Sequence, residues 1–90
     1  MAQDQKESEG GYLITFTLAN GDSSVDLMLD ERREIRSMLT VLKEAGKIGG
    51  ETENYVCRSL LQNRVISLYK TFEEEKIYSG DVISLEVLNG

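Results

Sequence analysis

Two segments of strict alternation, YLITFTL and SVDLMLD, stand on either side of Asn20-Gly21. Side chains along a strand point to opposite faces in turn, so Tyr12, Ile14, Phe16 and Leu18 share one face, and Leu13, Thr15 and Thr17 the other. In the second segment Val25, Leu27 and Leu29 face inward by the same rule. Asn20-Gly21 tolerates the positive φ that both central residues of a type I′ turn require. The fold therefore begins with a β-hairpin whose apolar face needs a cover.

The next segment, DERREIRSMLTVLKEAGK, supplies that cover. Ile35, Met38, Leu39, Leu42 and Ala45 recur at helical spacing and form one apolar stripe. Asp30 is the expected N-cap, its carboxylate accepting from the first free N–H groups, and Gly46 the expected C′ residue. KIGGETEN reads as a loop, and its Gly49-Gly50 pair lacks the lysine of a phosphate-binding loop.

YVCRSLL and RVISLY read as third and fourth strands joined by a turn at Gln62-Asn63. Val56, Leu60 and Leu61 do not share one parity, and a bulge near Leu60-Leu61 would reconcile them. KTFEEEKIYSGD is a helical turn or loop anchored by Phe72 and Ile77. Ser79-Gly80-Asp81 then reverses the chain into a last strand, VISLEVL, with Ile83, Leu85 and Val87 on one face. A helix after a hairpin must return the chain beneath itself, which makes the first and last strands central neighbours. The class is α+β: a mixed sheet of four to five strands packed on one main helix, a β-grasp. Residues 12–90 form this domain, and the polar residues 1–11 are expected to be a disordered tail.

Little catalytic chemistry is on offer. The chain has no histidine and one cysteine, Cys57, so an internal disulfide and the usual zinc and haem ligand sets are missing, and a thiol nucleophile would lack its customary base. Cys57 reads as a small strand residue, and Glu73, Glu74 and Glu75 as a solvated run. No catalytic, cofactor or metal residue is assigned. A net charge of −6 disfavours nucleic acid as a partner. No apolar run approaches the roughly 20 residues that span a bilayer, and the N-terminus lacks the apolar segment of a secretory signal. A lone cysteine in such a chain fits a reducing cytoplasm.

The order and spacing of Tyr12 to Leu88 resemble ubiquitin. TFEEEKIYSGDVISLEVL has the shape of ubiquitin's final third: Thr71 and Phe72, then Ile77, a turn and the last strand. More narrowly, Ile77, Gly80, Asp81, Ile83 and Leu85 resemble the ending of the YukD/EsaB group of bacterial ubiquitin-like proteins. The resemblance implies an accessory role in type VII (WXG100-type) secretion, exerted in the cytoplasm by binding proteins, membrane-embedded secretion components among them. In ubiquitin and sulfur-carrier relatives a flexible arm ending in Gly-Gly is activated at its carboxylate. Here Asn89 stands in place of the penultimate glycine, so Gly90 is expected to close a strand and not to be conjugated. A generic β-grasp module of another assembly is the alternative, followed by a covalent modifier acting through Gly90.

The positions that resemble ubiquitin's apolar recognition patch are Ala19 and Glu86, so that patch is not preserved. Leu13 and Met28 are the apolar residues on the hairpin's outer face. Arg32, Arg36 and Lys43 fall on one flank of the helical stripe. They form either an electrostatic docking edge or a solvated face paired with nearby acids such as Glu31. A free edge strand admits self-association, and no residue pattern decides it.

Overall fold

A computed structural model of the chain describes residues 12–88. The expected tail at residues 1–11, and Asn89 and Gly90, lie outside that range. Strands β1 (Leu13–Asn20) and β2 (Ser23–Asp30) pair antiparallel from Leu13↔Asp30 to Asn20↔Ser23. The connecting residues are thus Gly21 and Asp22, not Asn20 and Gly21. Positive φ falls on Gly21 alone (+63°), where a type II′ turn places its glycine, so the expected type I′ turn is corrected.

The helix α1 spans Arg36–Glu44, and it is capped five residues beyond the expected N-cap Asp30. Its N-cap is Ile35, which makes no side-chain capping bond. The N–H groups of Ile35 and Arg36 donate instead to the carbonyls of Lys70 and Leu68, both at 2.9 Å. Main chain from a distant loop thus satisfies donors that otherwise need a side-chain cap. The Asp30 carboxylate does accept a backbone N–H, that of Arg32 at 2.9 Å, but within a turn. The C-terminus is as expected: Gly46 has φ +76°, and Lys47 N–H reaches the Leu42 carbonyl at 2.9 Å in a Schellman closure.

After a short 3₁₀ turn (Thr52–Asn54) come β3 (Tyr55–Ser59), β4 (Arg64–Ile66) and β5 (Val82–Val87). The sheet order is β2-β1-β5-β3-β4, with β1 and β5 neighbours at its centre as expected, and parallel. The third strand does not run through Leu60-Leu61, and no bulge is needed. It ends at Ser59, and both leucines lie exposed in the turn that follows.

Ile35, Met38, Leu39 and Leu42 of the helical stripe are buried against Ile14, Phe16 and Leu18 of β1 and Ile83 and Leu85 of β5. Ala45, also in the expected stripe, is exposed, as is Val87 at the end of β5. Phe72 and Ile77 are fully buried, and the Phe72 ring lies 5.2 Å from that of Phe16. Each such side chain contributes about 1.5–3 kcal/mol on burial, so the core, with no disulfide, holds the domain. Cys57 is one of its members, and burial pushes its thiol up to about 12.

Two acids are built into this frame. Asp81 is 1% exposed. Its carboxylate accepts the Ser59 hydroxyl at 2.7 Å and the N–H groups of Leu61 at 3.2 Å and Val82 at 2.6 Å. Glu75 is buried too, which corrects the reading of Glu73, Glu74 and Glu75 as one solvated run. It accepts the Ser67 N–H and pairs with Arg64 at 2.9 Å. Burial pushes the Glu75 carboxyl up, but the Ser67 N–H and the Arg64 guanidinium more than offset this and leave it below its ordinary value. Thr71 and Glu74 exchange side-chain bonds to each other's backbone N–H (3.0 and 2.9 Å), a capping box that fixes the turn carrying Phe72.

Candidate interaction surface

The basic edge expected on one helix flank is divided by the late helix start. Arg32 precedes α1, whereas Arg36 opens it and Lys43 sits in its last turn. Arg32 grips both oxygens of Asp30 (3.0 and 2.7 Å), and its guanidinium lies 3.8 Å from the centre of the Tyr12 ring. Those hydrogen bonds hold the Asp30 carboxyl down at about 2. Arg36 bonds Glu34 at 2.6 Å and lies 5.6 Å from the Tyr69 ring. Both arginines are thus paired, with Asp30 and Glu34 and not with Glu31, and their surface fields are largely local.

Leu13 and Met28 are exposed on the outer face of the hairpin, as expected. Leu13 stands opposite Asp30 and Met28 opposite Thr15, so the two are diagonal neighbours.

The outer face of β3, β4 and β5 carries a second group that sequence reasoning missed. Cys57 and Leu85 point into the core, so Arg58 and Glu86 point out, and they bond at 3.1 Å. Val65 of β4 stands opposite Arg58 and is 49% exposed. Leu60, 50% exposed, follows the end of β3, where its N–H donates to the Val82 carbonyl at 2.9 Å. Ala19, on the outer face of β1, stands opposite Ser84 of β5. The sheet thus presents an ion pair with apolar residues beside it, where a wholly apolar patch would bury more surface on contact. The signal was in the sequence as the broken parity of Leu60 and Leu61.

No family model matches the chain, and no curated protein matches it. Solved structures do. A designed protein based on ubiquitin superposes with a TM-score of 0.74 at 17% identity, over 90% of this chain and 95% of its own. The chain has the ubiquitin-like β-grasp fold. Caldiarchaeum subterraneum ubiquitin superposes with a TM-score of 0.68 at 14% identity, over 87% of this chain and 96% of that one. The ubiquitin-like domain of an Arabidopsis thaliana protein gives 0.74 at 9% identity, over 100% and 90%. At these identities the likeness establishes the ubiquitin-like fold alone. Among the described residues no helix is long and apolar enough to cross a membrane.

Proposed function

We propose that this ubiquitin-like domain is a non-enzymatic adaptor that acts by non-covalent protein binding. More narrowly, it serves as a cytoplasmic accessory of bacterial type VII secretion. The observation that carries the binding role is the outer sheet face, where exposed Leu60 and Val65 lie beside the Arg58–Glu86 pair. An apolar contact at this face gains from burial, while the charge pair sets orientation, because an exposed pair itself contributes only about 0–1 kcal/mol to the fold. The narrower role is supported by the resemblance of Ile77, Gly80, Asp81, Ile83 and Leu85 to the ending of the YukD/EsaB group.

Purified cytoplasmic domains of type VII membrane components, titrated calorimetrically with the chain, test both levels. The expected result is saturable binding that Leu60→Asp with Val65→Asp abolishes while the circular dichroism spectrum stays unchanged. Binding that survives this double variant and is lost in Arg32→Glu with Arg36→Glu moves the contact to the basic edge. An absence of binding to every such domain removes the secretion role.

A further inference from the structure

The candidate binding surface is carried in part by a turn that the core does not hold. No side chain from Leu60 to Val65 is buried, although Ser59 and Ile66 on either side are. A segment without buried apolar contacts belongs to the low-stability end of a fold, where local opening costs least. Leu60 and Val65 therefore depend on hydrogen bonds for their relative position. Asp81 and Ser59 hold the turn from the β5 side, accepting the N–H groups of Leu61 and Gln62 at 3.2 and 3.1 Å.

A single side chain makes the tie to the chain's other flank. Gln62 Nε2 donates to the carbonyls of Glu75 (3.1 Å) and Lys76 (2.8 Å), and Gln62 Oε1 accepts the Arg64 Nε–H at 2.7 Å. Those two carbonyls close a helical turn, and the last carbonyls of such a turn lack partners within it. The core fixes their place. Lys76 has φ +61°, the Ile77 N–H returns to the Phe72 carbonyl at 2.9 Å, and Phe72 and Ile77 are fully buried. Arg64 adds a bond to the Glu75 carbonyl at 2.7 Å, but its side chain is 42% exposed, so water screens its ion pair with Glu75.

On the reading of Leu60 and Val65 as the binding surface, we infer that Gln62 is the positioning residue of that surface. Its carboxamide couples the turn and the first residue of β4 to the backbone between Phe72 and Ile77. The rigidity of the core thereby extends to an exposed turn, and Leu60 and Val65 stand as a preformed pair. Such a pair loses little freedom when a partner covers it, and it suits a partner pocket of fixed shape.

The test is NMR relaxation dispersion at the backbone amides of the labelled full chain, with urea unfolding alongside. Gln62→Met keeps the length of the side chain and removes its donors and its acceptor. In that variant microsecond-to-millisecond exchange is expected at Leu60, Leu61, Asn63 and Val65, with an open population of about 1–10%. Flat profiles are expected at these amides in the wild type, and at Ile14 and Leu85 in both proteins. Gln62→Glu keeps an acceptor for Arg64 and loses the donors, and it is expected to behave as Gln62→Met does. Flat profiles in Gln62→Glu beside exchange in Gln62→Met would move the tie to Arg64 and overturn the assignment. A lower urea midpoint in Gln62→Met with flat turn profiles would make Gln62 a stabilising residue only, and would overturn it as well. So would exchange of equal amplitude in the wild type. The measurement uses no partner, so its outcome is separate from whether any secretion domain binds.

Discussion

The Ser59 hydroxyl donates to the Asp81 carboxylate at 2.7 Å, across 22 residues of sequence and beneath the sheet's surface. Ser59 Oγ in turn accepts the Gln62 N–H at 3.1 Å, and Asp81 accepts the N–H groups of Leu61 and Val82. One buried acid thus ties the end of β3, the turn after it and the start of β5. The Gly80-Asp81 pair legible in the sequence therefore anchors the segment that exposes Leu60.

Removing that anchor leaves a buried hydroxyl and main-chain N–H groups without an acceptor. Asp81→Ala is expected to destabilise the domain by about 3 kcal/mol, and Ser59→Ala by about 1–2 kcal/mol, in urea unfolding followed by circular dichroism. Because the two share one bond, the double variant is expected to cost less than their sum. A loss below about 1 kcal/mol for Asp81→Ala would contradict this assignment.

Acid should unfold the domain for an identifiable reason. The folded carboxyls of Asp30 and Glu75 lie below their ordinary values of 3.8 and 4.5, Asp30 at about 2. A group depressed in the folded state stabilises the fold above its unfolded value, and that contribution is lost as pH falls through the folded one. Stability is therefore expected to be level at neutral pH and to decline below about pH 4.5. Glu75→Gln should lower stability at pH 7 and flatten the decline. An unchanged slope in Glu75→Gln would show that the Arg64 pair has no part in it.

Cys57 is expected to be inert while the domain is folded. Its thiol is fully buried and titrates at about 12, against an ordinary 9.0, because burial disfavours the thiolate. Reaction with an aromatic disulfide reagent at pH 8 should proceed only through opening, and its rate should rise in parallel with destabilisation by Asp81→Ala. Immediate reaction in the native state would contradict the buried placement. Above pH 9 the unfolded chain gains from ionising this thiol while the folded chain does not, which adds to alkaline loss of stability up to about 12.

The hairpin and the helical stripe were legible because periodicity reports burial directly, and the adjacency of first and last strands because a helix after a hairpin must return the chain beneath itself. Ile14, Phe16 and Leu18 alternate, Ile35, Met38, Leu39 and Leu42 recur by helical turns, and all are buried. The start of the helix was not legible, because the carbonyls of Leu68 and Lys70 that satisfy its first N–H groups lie more than 30 residues away. Glu75 looked like its solvated neighbours because its partners Arg64 and Ser67 belong to another part of the fold. The candidate surface was legible only in part. Leu13 and Met28 followed from alternation, whereas Arg32 left the helix flank once the helix began at Arg36, and Leu60 was assigned to a strand that ends at Ser59.

Whether the domain binds without becoming covalently attached is tested most directly by capture from source cells through an N-terminal tag. The eluate is divided into a native half and a boiled, reduced half for mass spectrometry. Partners present in the native half and absent after denaturation, and lost in the Leu60→Asp, Val65→Asp variant, are the result this account predicts. A partner that survives boiling and reduction, joined to Gly90 by an isopeptide bond, would contradict it and make the chain a modifier.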